Sequence, residues 1–354
     1  MRMVRVRAAA AVAAVMIVVQ SLVLVSCATV GKFNGFANWN KCESLDALKS
    51  YVESVTSAGS PDYIPVGDRI AVFDMDGTLC GELFPEYIEY MLLAHRCLDD
   101  KDYVASPDLV NVAKQIKESG VTYTTPKVSG FDLIHANAQA KAFAGLTPEE
   151  FISYVGNFLE KDAQGFEGLK YRDSIYKPMV DVVRYLQSRG FTIYVVSGSD
   201  RMICRALVCD QLDIPSNQVI GMDVTLVATN QNGKDGLDYQ FNDGGKDKLV
   251  RGDSLMIKNL KMNKVLNIAQ EIGKQPVLSF GNSSGDVSMH EYVTSNNKYK
   301  SMAFMLVADD TGRDHAYMEE TNKRIAQWQK RGYTIISMKN DFKTIYGEGV
   351  RKTL

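Results

Sequence analysis

The 354-residue sequence has only four histidines and nine prolines, no Cys-x-x-Cys pair, and no Cys/His cluster at the spacing a zinc ion needs. That excludes a structural zinc module. A surplus of positive charge is missing too: 40 Lys and Arg stand against 42 Asp and Glu, a formal net charge of −2. Proteins that bind nucleic acid normally present a basic field, so no nucleic-acid partner is expected. After the leader there is no internal repeat and no low-complexity tract, which excludes a repeat array.

What is present begins with that leader. Arg2, Arg5 and Arg7 precede an apolar run from Ala8 to Val25, interrupted only by Gln20 and Ser21, and the run ends Leu24-Val25-Ser26-Cys27. A basic n-region followed by an apolar h-region is an export signal. The small residues ending in Cys resemble a bacterial lipobox. Residues 1–26 would then be a lipoprotein signal peptide, with Cys27 acylated and holding the chain on a membrane of the cell envelope. The alternative is an uncleaved transmembrane anchor, since the run is just long enough to span. Either way the folded part faces the periplasm or the exterior. Without the three leader arginines, 37 basic side chains face 42 acidic ones, a net charge of about −5. The remaining chain, about 328 residues, can bury a sizeable core. Beyond Cys27 five cysteines remain, Cys42, Cys80, Cys97, Cys204 and Cys209. An odd number leaves at least one free or paired outside the chain, although an oxidising envelope permits a bridge.

From residue 27 to 60 the pattern reads as a small, polar tether with scattered aromatics, followed by a helix from Ser44 to Val55. Trp39 just before it reads as a packing residue. The first strong strand is Ile70-Ala71-Val72-Phe73, bounded upstream by Pro61, Pro65 and Gly67, and it runs into Asp74-Met75-Asp76-Gly77-Thr78-Leu79. In an open α/β sheet the C-terminal ends of strands are where ligands bind. Two carboxylates one residue apart, then a turn glycine and a hydroxyl, suit phosphoryl transfer. One carboxylate attacks, the other handles a proton, and a cation offsets the charge.

Helical spacing follows, clearest over Pro85–His95, Pro107–Glu118 and Thr147–Leu159. The last opens with Thr147, Pro148 and Glu150, the signature of a capping box. Residues 85–176 thus read as a helical cap inserted between the first strand and the next, with residues 61–84 and 177–354 forming the core. A helix over Pro178–Gly190 leads to the strand Phe191–Val196, which ends in Ser197-Gly198 ahead of a helix from Arg201 to Cys209. A hydroxyl and free amides there suit a phosphoryl oxygen. Asp223–Gly252 reads as an antiparallel excursion, Val224–Ala228 turning at Asn232-Gly233 into Leu237–Phe241, with Lys246, Lys248 and Arg251 on a solvated face. The strand Pro276–Phe280 runs into Gly281-Asn282-Ser283-Ser284-Gly285-Asp286, whose oxygens suit a hard cation such as Mg²⁺. Met302–Val307 is a further strand, Asp314–Lys330 a helix and Tyr333–Met338 an edge strand. His290 and His315 read as structural.

Taken together, these residues resemble the haloacid dehalogenase superfamily, in its phosphoserine-phosphatase-like branch with a cap after the first motif. Phe73–Leu79 matches the first motif, Val195–Gly198 the second, a lysine the third and Gly281–Asp286 the fourth. The resemblance implies an α/β fold, a Rossmann-like three-layer core with a parallel sheet, and a Mg²⁺-dependent phosphatase acting on a small phosphate monoester. By position, Asp74 is the nucleophile and Asp76 the acid and base. Thr78, Ser197 and Gly198 bind phosphoryl oxygens. Asp74, the Asp76 carbonyl, Asp286 and Asn282 surround the metal. The third-motif lysine is one of Lys258, Lys261 and Lys264. Lys264 is preferred because it opens the pattern Val265, Ile268, Ala269, Ile272. The chain departs from the family at Asn282, where phosphoserine phosphatases usually carry Asp. The rival reading is a non-catalytic surface lipoprotein that keeps the fold for binding and should have lost part of this set.

Overall fold

The computed structural model describes residues 33–82, 86–118, 130–241, 246–315 and 318–354. The leader and Cys27 lie outside them. No described helix is long and apolar enough to cross a membrane.

Strand β1, Ile70–Phe73, is buried at all four positions. Such a strand can only be central, and it is. It pairs in parallel with β3 (Thr192–Asp200) on one side and β6 (Leu278–Gly281) on the other. The sheet has seven strands in the order β5-β4-β3-β1-β6-β7-β8, where β4 is Val219–Ala228, β5 Leu249–Ile257, β7 Met302–Val307 and β8 Thr334–Ser337. All neighbours are parallel except β4 and β5, and β2 (Phe166–Glu167) pairs separately and antiparallel with β9 (Arg351–Lys352). Near-continuous apolar strands with helices between them give this doubly covered α/β arrangement. Register is visible in the rings of Phe73, Phe280 and Phe304. They stack across β1, β6 and β7 at centroid spacings of 4.3 and 4.8 Å.

The helices are α1 (Glu43–Thr56), α6 (Lys177–Ser188), α7 (Arg201–Leu212), α8 (Met262–Asn267), α9 (Val287–Thr294), α10 (Met318–Lys330) and α11 (Met338–Asp341), with α2 to α5 in the insertion. A single π turn, Ile268–Ile272, continues α8. The insertion holds α2 (Ile88–Leu98), α3 (Pro107–Glu118), α4 (Phe131–Ala142) and α5 (Pro148–Leu159). The capping box of α5 forms as expected: Glu150 N–H donates to Thr147 Oγ1 at 3.1 Å and Thr147 N–H to Glu150 Oε2 at 2.9 Å.

Four expectations are corrected. The excursion's second strand is β5, not Leu237–Phe241. Asn232 and Gly233 do turn, both at positive φ, but within the connection, where Gly236–Asp238 forms a 3₁₀ turn. Arg251 is not on a solvated face. It is 1% exposed, donates to Asp200 Oδ2 at 2.7 Å, and lies 3.9 Å over the Phe151 ring of α5. Residues 33–40 are docked rather than free: Trp39 is buried and donates to Pro178 O at 2.8 Å, and Asn38 bonds Asp181. Helix α4 was not anticipated, because its buried face is built largely of Ala136, Ala138, Ala140 and Ala142, which give little apolar periodicity. The five cysteines Cys42, Cys80, Cys97, Cys204 and Cys209 are all free thiols.

Candidate active site

Three strand ends converge. Asp74 follows the last residue of β1, and its N–H donates to Phe280 O at 2.9 Å, fixing it against β6. The turn after it needs Gly77, which has φ +75° and sits so close to Asn282 that a Cβ would collide with that amide. Asp286 caps the loop after β6. Its Oδ2 accepts from the N–H groups of Asn282 and Ser283 at 3.1 and 3.0 Å and from Ser283 Oγ at 3.2 Å.

Of the three candidate lysines, Lys264 reaches both carboxylates. From α8 its Nζ lies 2.6 Å from Asp74 Oδ1 and 2.6 Å from Asp286 Oδ1, with all three side chains buried. Burial opposes the ammonium charge, but Asp286 and Asp74 together hold its pKa above the usual lysine range. Burial and the adjacent Asp286 push Asp74 up. Burial also works against the charge of Asp286, yet Lys264 keeps it below the usual carboxylate range. His290, held at 2.7 Å by Ser279 Oγ, is pushed down to about 4 by burial and is neutral. Lys258 instead bonds Glu89 of the insertion at 2.9 Å, and the exposed Lys261 ties its N–H to Gly285 O at 3.1 Å.

Asp76 stands apart from that triad. Its Oδ2 accepts from Ser199 Oγ at 2.7 Å, and burial raises its pKa to about 7 even though that hydrogen bond works the other way. An acid poised near neutrality suits proton transfer in both directions.

The open space here is a cavity of about 390 Å³, lined by Asp74, Asp76, Gly198, Lys264, Asn282 and Asp286 among others. Ser197 and Thr78 do not line it. Both are fully buried; Ser197 Oγ accepts from Ser199 N–H at 3.1 Å, and Thr78 Oγ1 has no hydrogen-bond partner among the described residues. The reason is that β3 runs on to Asp200, so the part of it that lines the cavity is Gly198-Ser199. The sequence reading missed Ser199, although it repeats Ser197 at the two-residue period of a strand. It also missed Glu89, whose Oε2 accepts from Asp200 N–H at 3.0 Å, because the pair is 111 residues apart.

Among the described residues no three His, Cys, Asp or Glu side chains are gathered as a metal cluster. The oxygens that do converge, the Asp74 and Asp286 carboxylates sharing the Lys264 cation in a cavity that Asn282 also lines, nevertheless fit a hard ion. Mg²⁺ takes one or two carboxylates and keeps several waters.

Among curated proteins no sequence matches this chain. Solved structures similar to it include a conserved, functionally unknown protein from Anaerococcus prevotii DSM 20548, with TM-score 0.49 and 14% identity over 86% of this chain and 95% of that one. Cytosolic 5'-nucleotidase IIIB bound to cytidine has TM-score 0.47 and 11% identity over 82% and 84%. A substrate-bound phosphoserine phosphatase has TM-score 0.36 and 13% identity over 68% and 86%. The family model of haloacid dehalogenase-like hydrolases matches residues 69–289, from the start of β1 into α9 and through every motif described above. This chain belongs to the haloacid dehalogenase-like hydrolases.

Proposed function

We propose that the protein is a Mg²⁺-dependent phosphomonoesterase that cleaves a small phosphate ester beneath its helical insertion. The observation that carries this reading is the shared ammonium: Lys264 lies 2.6 Å from both Asp74 and Asp286, so a nucleophile and a metal-side carboxylate face one point.

Asp74 attacks phosphorus through a carboxylate oxygen, and the bond from phosphorus to the ester oxygen breaks. The departing alkoxide takes the proton held on Asp76. Asp76, now ionised, removes a proton from the water that cleaves the acyl phosphate, which restores both carboxyl groups and releases phosphate. Ser199 holds Asp76 in place, Gly198 offers its amide at the cavity wall, and Lys264 keeps Asp74 in line while balancing charge. Asp74, Asp286, the Asp76 carbonyl and Asn282 would hold Mg²⁺, which when bound supplies charge neutralisation at the phosphoryl oxygens. Through Cys27 the enzyme would be lipid-anchored in the cell envelope, a reading supported by the leader alone.

Purified protein should hydrolyse a chromogenic aryl phosphate with Mg²⁺, and Asp74→Asn should lose at least about a thousandfold of that rate, as expected when the nucleophile is removed. Full activity in the variant, or none in the wild type over a broad ester panel, would reject the phosphatase. Membrane release of Cys27→Ala tests the anchor separately.

A further inference from the structure

The cavity has two ends. At the strand tips Asp74, Asp76 and Asp286 face two cations, Lys264, between Asp74 and Asp286, and Lys261, joined through its N–H to Gly285, and the phosphoryl group must lie there against the nucleophile. Toward the insertion the wall is made by Tyr87, Tyr90, Glu82, Glu89 and Asp132. The rings of Tyr87 and Tyr90 meet edge to face, with centroids 5.5 Å apart and planes at 80°, so they form a corner in which Tyr87 is the more open ring, since Tyr90 is 2% exposed and stacks on His135 at 3.8 Å. Tyr90 Oη donates to Asp132 Oδ1 at 3.0 Å, and Glu82, the charge that acts most on Tyr87, accepts through Oε1 from Asn282 Nδ2 at 2.7 Å, so Asp132 stands at the corner and Glu82 between it and the loop after β6. Lys258 is engaged by Glu89, and Arg324 borders the cavity from α10. At this end three carboxylates therefore face two cations. The charge acting on Tyr87 is that of Glu82 first, with burial next, and both tyrosine hydroxyls are pushed well above their usual range beside carboxylates.

We infer that the leaving alcohol is cationic: the cavity is built for the phosphomonoester of a small amino alcohol, its phosphate at the lysine end and its ammonium in the Tyr87–Tyr90 corner beside Glu82 and Asp132. The inference rests on the phosphatase reading for the group at the lysine end. An ammonium is attracted to the faces of tyrosine rings, most strongly when it is desolvated, and methylation lowers its hydration without removing its charge. A carboxylate at hydrogen-bonding range adds to that attraction and repels an acidic alcohol.

The test is calorimetric titration of the full-length Asp74→Asn protein with Mg²⁺ and four probes: phosphocholine, phosphoethanolamine, glycerol 3-phosphate and 3-phosphoglycerate. Binding is read without turnover. The two ammonium esters should bind at least about fivefold more tightly than glycerol 3-phosphate, the size a desolvated cation–π contact supplies, and 3-phosphoglycerate most weakly. Tyr87→Leu and, as a gentler change at an exposed position, Asp132→Asn should each shrink the difference between phosphocholine and glycerol 3-phosphate. Equal affinities, a preference for the anionic ester, no binding at all, or a preference untouched by both variants would overturn the inference. Turnover of an aryl phosphate by the wild type, measured in parallel, separates the two claims. Aryl turnover without ammonium preference rejects this inference alone. Ammonium preference without aryl turnover rejects the reaction class and retains the chamber.

Discussion

The two ends of the cavity hold their side chains by different means. At the strand tips, position follows from register: Phe73 pairs with Val195 and Phe280, so Asp74 and the residues after β6 arrive at one level whatever the rest of the chain does. At the insertion end, position depends on side chains bonded over long separations. Arg251 joins Asp200 across 51 residues while stacking on Phe151, and Glu89 holds the Asp200 amide from 111 residues away. Backbone N–H groups of Arg251 and Gly145 bond Leu146 O and Arg251 O at 2.8 Å each, so the edge strand β5 is itself a support for the insertion. A sheet tolerates the loss of one side chain better than such a chain of contacts does, because the ladder stays paired. This predicts where each end will break.

The largest effect should come from Arg251→Met. It leaves Asp200 as an uncompensated charge at 2% exposure and removes the guanidinium from the Phe151 face. Breaking a buried pair in this way costs about 3–5 kcal/mol. Urea unfolding should show that loss, with hydrogen exchange rising first in α4 and α5. If α4 and α5 keep their protection while the core strands lose theirs, the insertion does not depend on this pair. Adding Asp200→Asn should recover part of the stability, since the stranded charge goes with it.

This division also explains what could be read in advance. The places of Asp74, Asp76, Gly198 and Asp286 were legible because a buried strand followed by a polar turn fixes its own geometry locally. Lys264 and most helix bounds were legible from apolar spacing at the helical period, Pro107–Glu118 to the residue. Arg251 was not legible. A lysine- and arginine-rich stretch normally faces solvent, and only the approach of Asp200 and Phe151 in the folded chain makes its burial favourable. Ser199 was missed for a smaller reason, that β3 extends three residues past the point where Ser197-Gly198 suggested a stop.

A middle-sized effect is expected at Asp76. In the folded, metal-free protein its carboxyl keeps a proton up to about pH 7, against an ordinary value of 3.8. Between those values the folded state binds the extra proton, so stability is present at low pH and declines as pH rises through the window. Asp76→Asn carries no such charge. In EDTA it should equal the wild type near pH 4 and exceed it at pH 8 by roughly 2–4 kcal/mol, discounting for relaxation around the charge. A stability difference that stays constant with pH would mean that Asp76 ionises freely in its buried position.

The smallest effect tests how one strand tip is divided between two hydroxyls. Ser199 donates to Asp76 Oδ2, whereas Ser197, fully buried behind it, accepts from the Ser199 N–H. A hydrogen bond to the ionised carboxylate favours ionisation, so Ser199→Ala should raise the Asp76 midpoint further. A bond of this kind contributes about 1–1.5 kcal/mol, or roughly one pH unit at most. Ser197→Ala should leave the midpoint close to its original place, because it loses only a bond to the backbone. The readout is the pH above which the stability gap between each variant and its Asp76→Asn double mutant stops growing, which marks the folded-state midpoint. If Ser197→Ala moves that point as far as Ser199→Ala does, the two hydroxyls act as one unit and the register of β3, rather than the single contact at 2.7 Å, sets the acidity of Asp76.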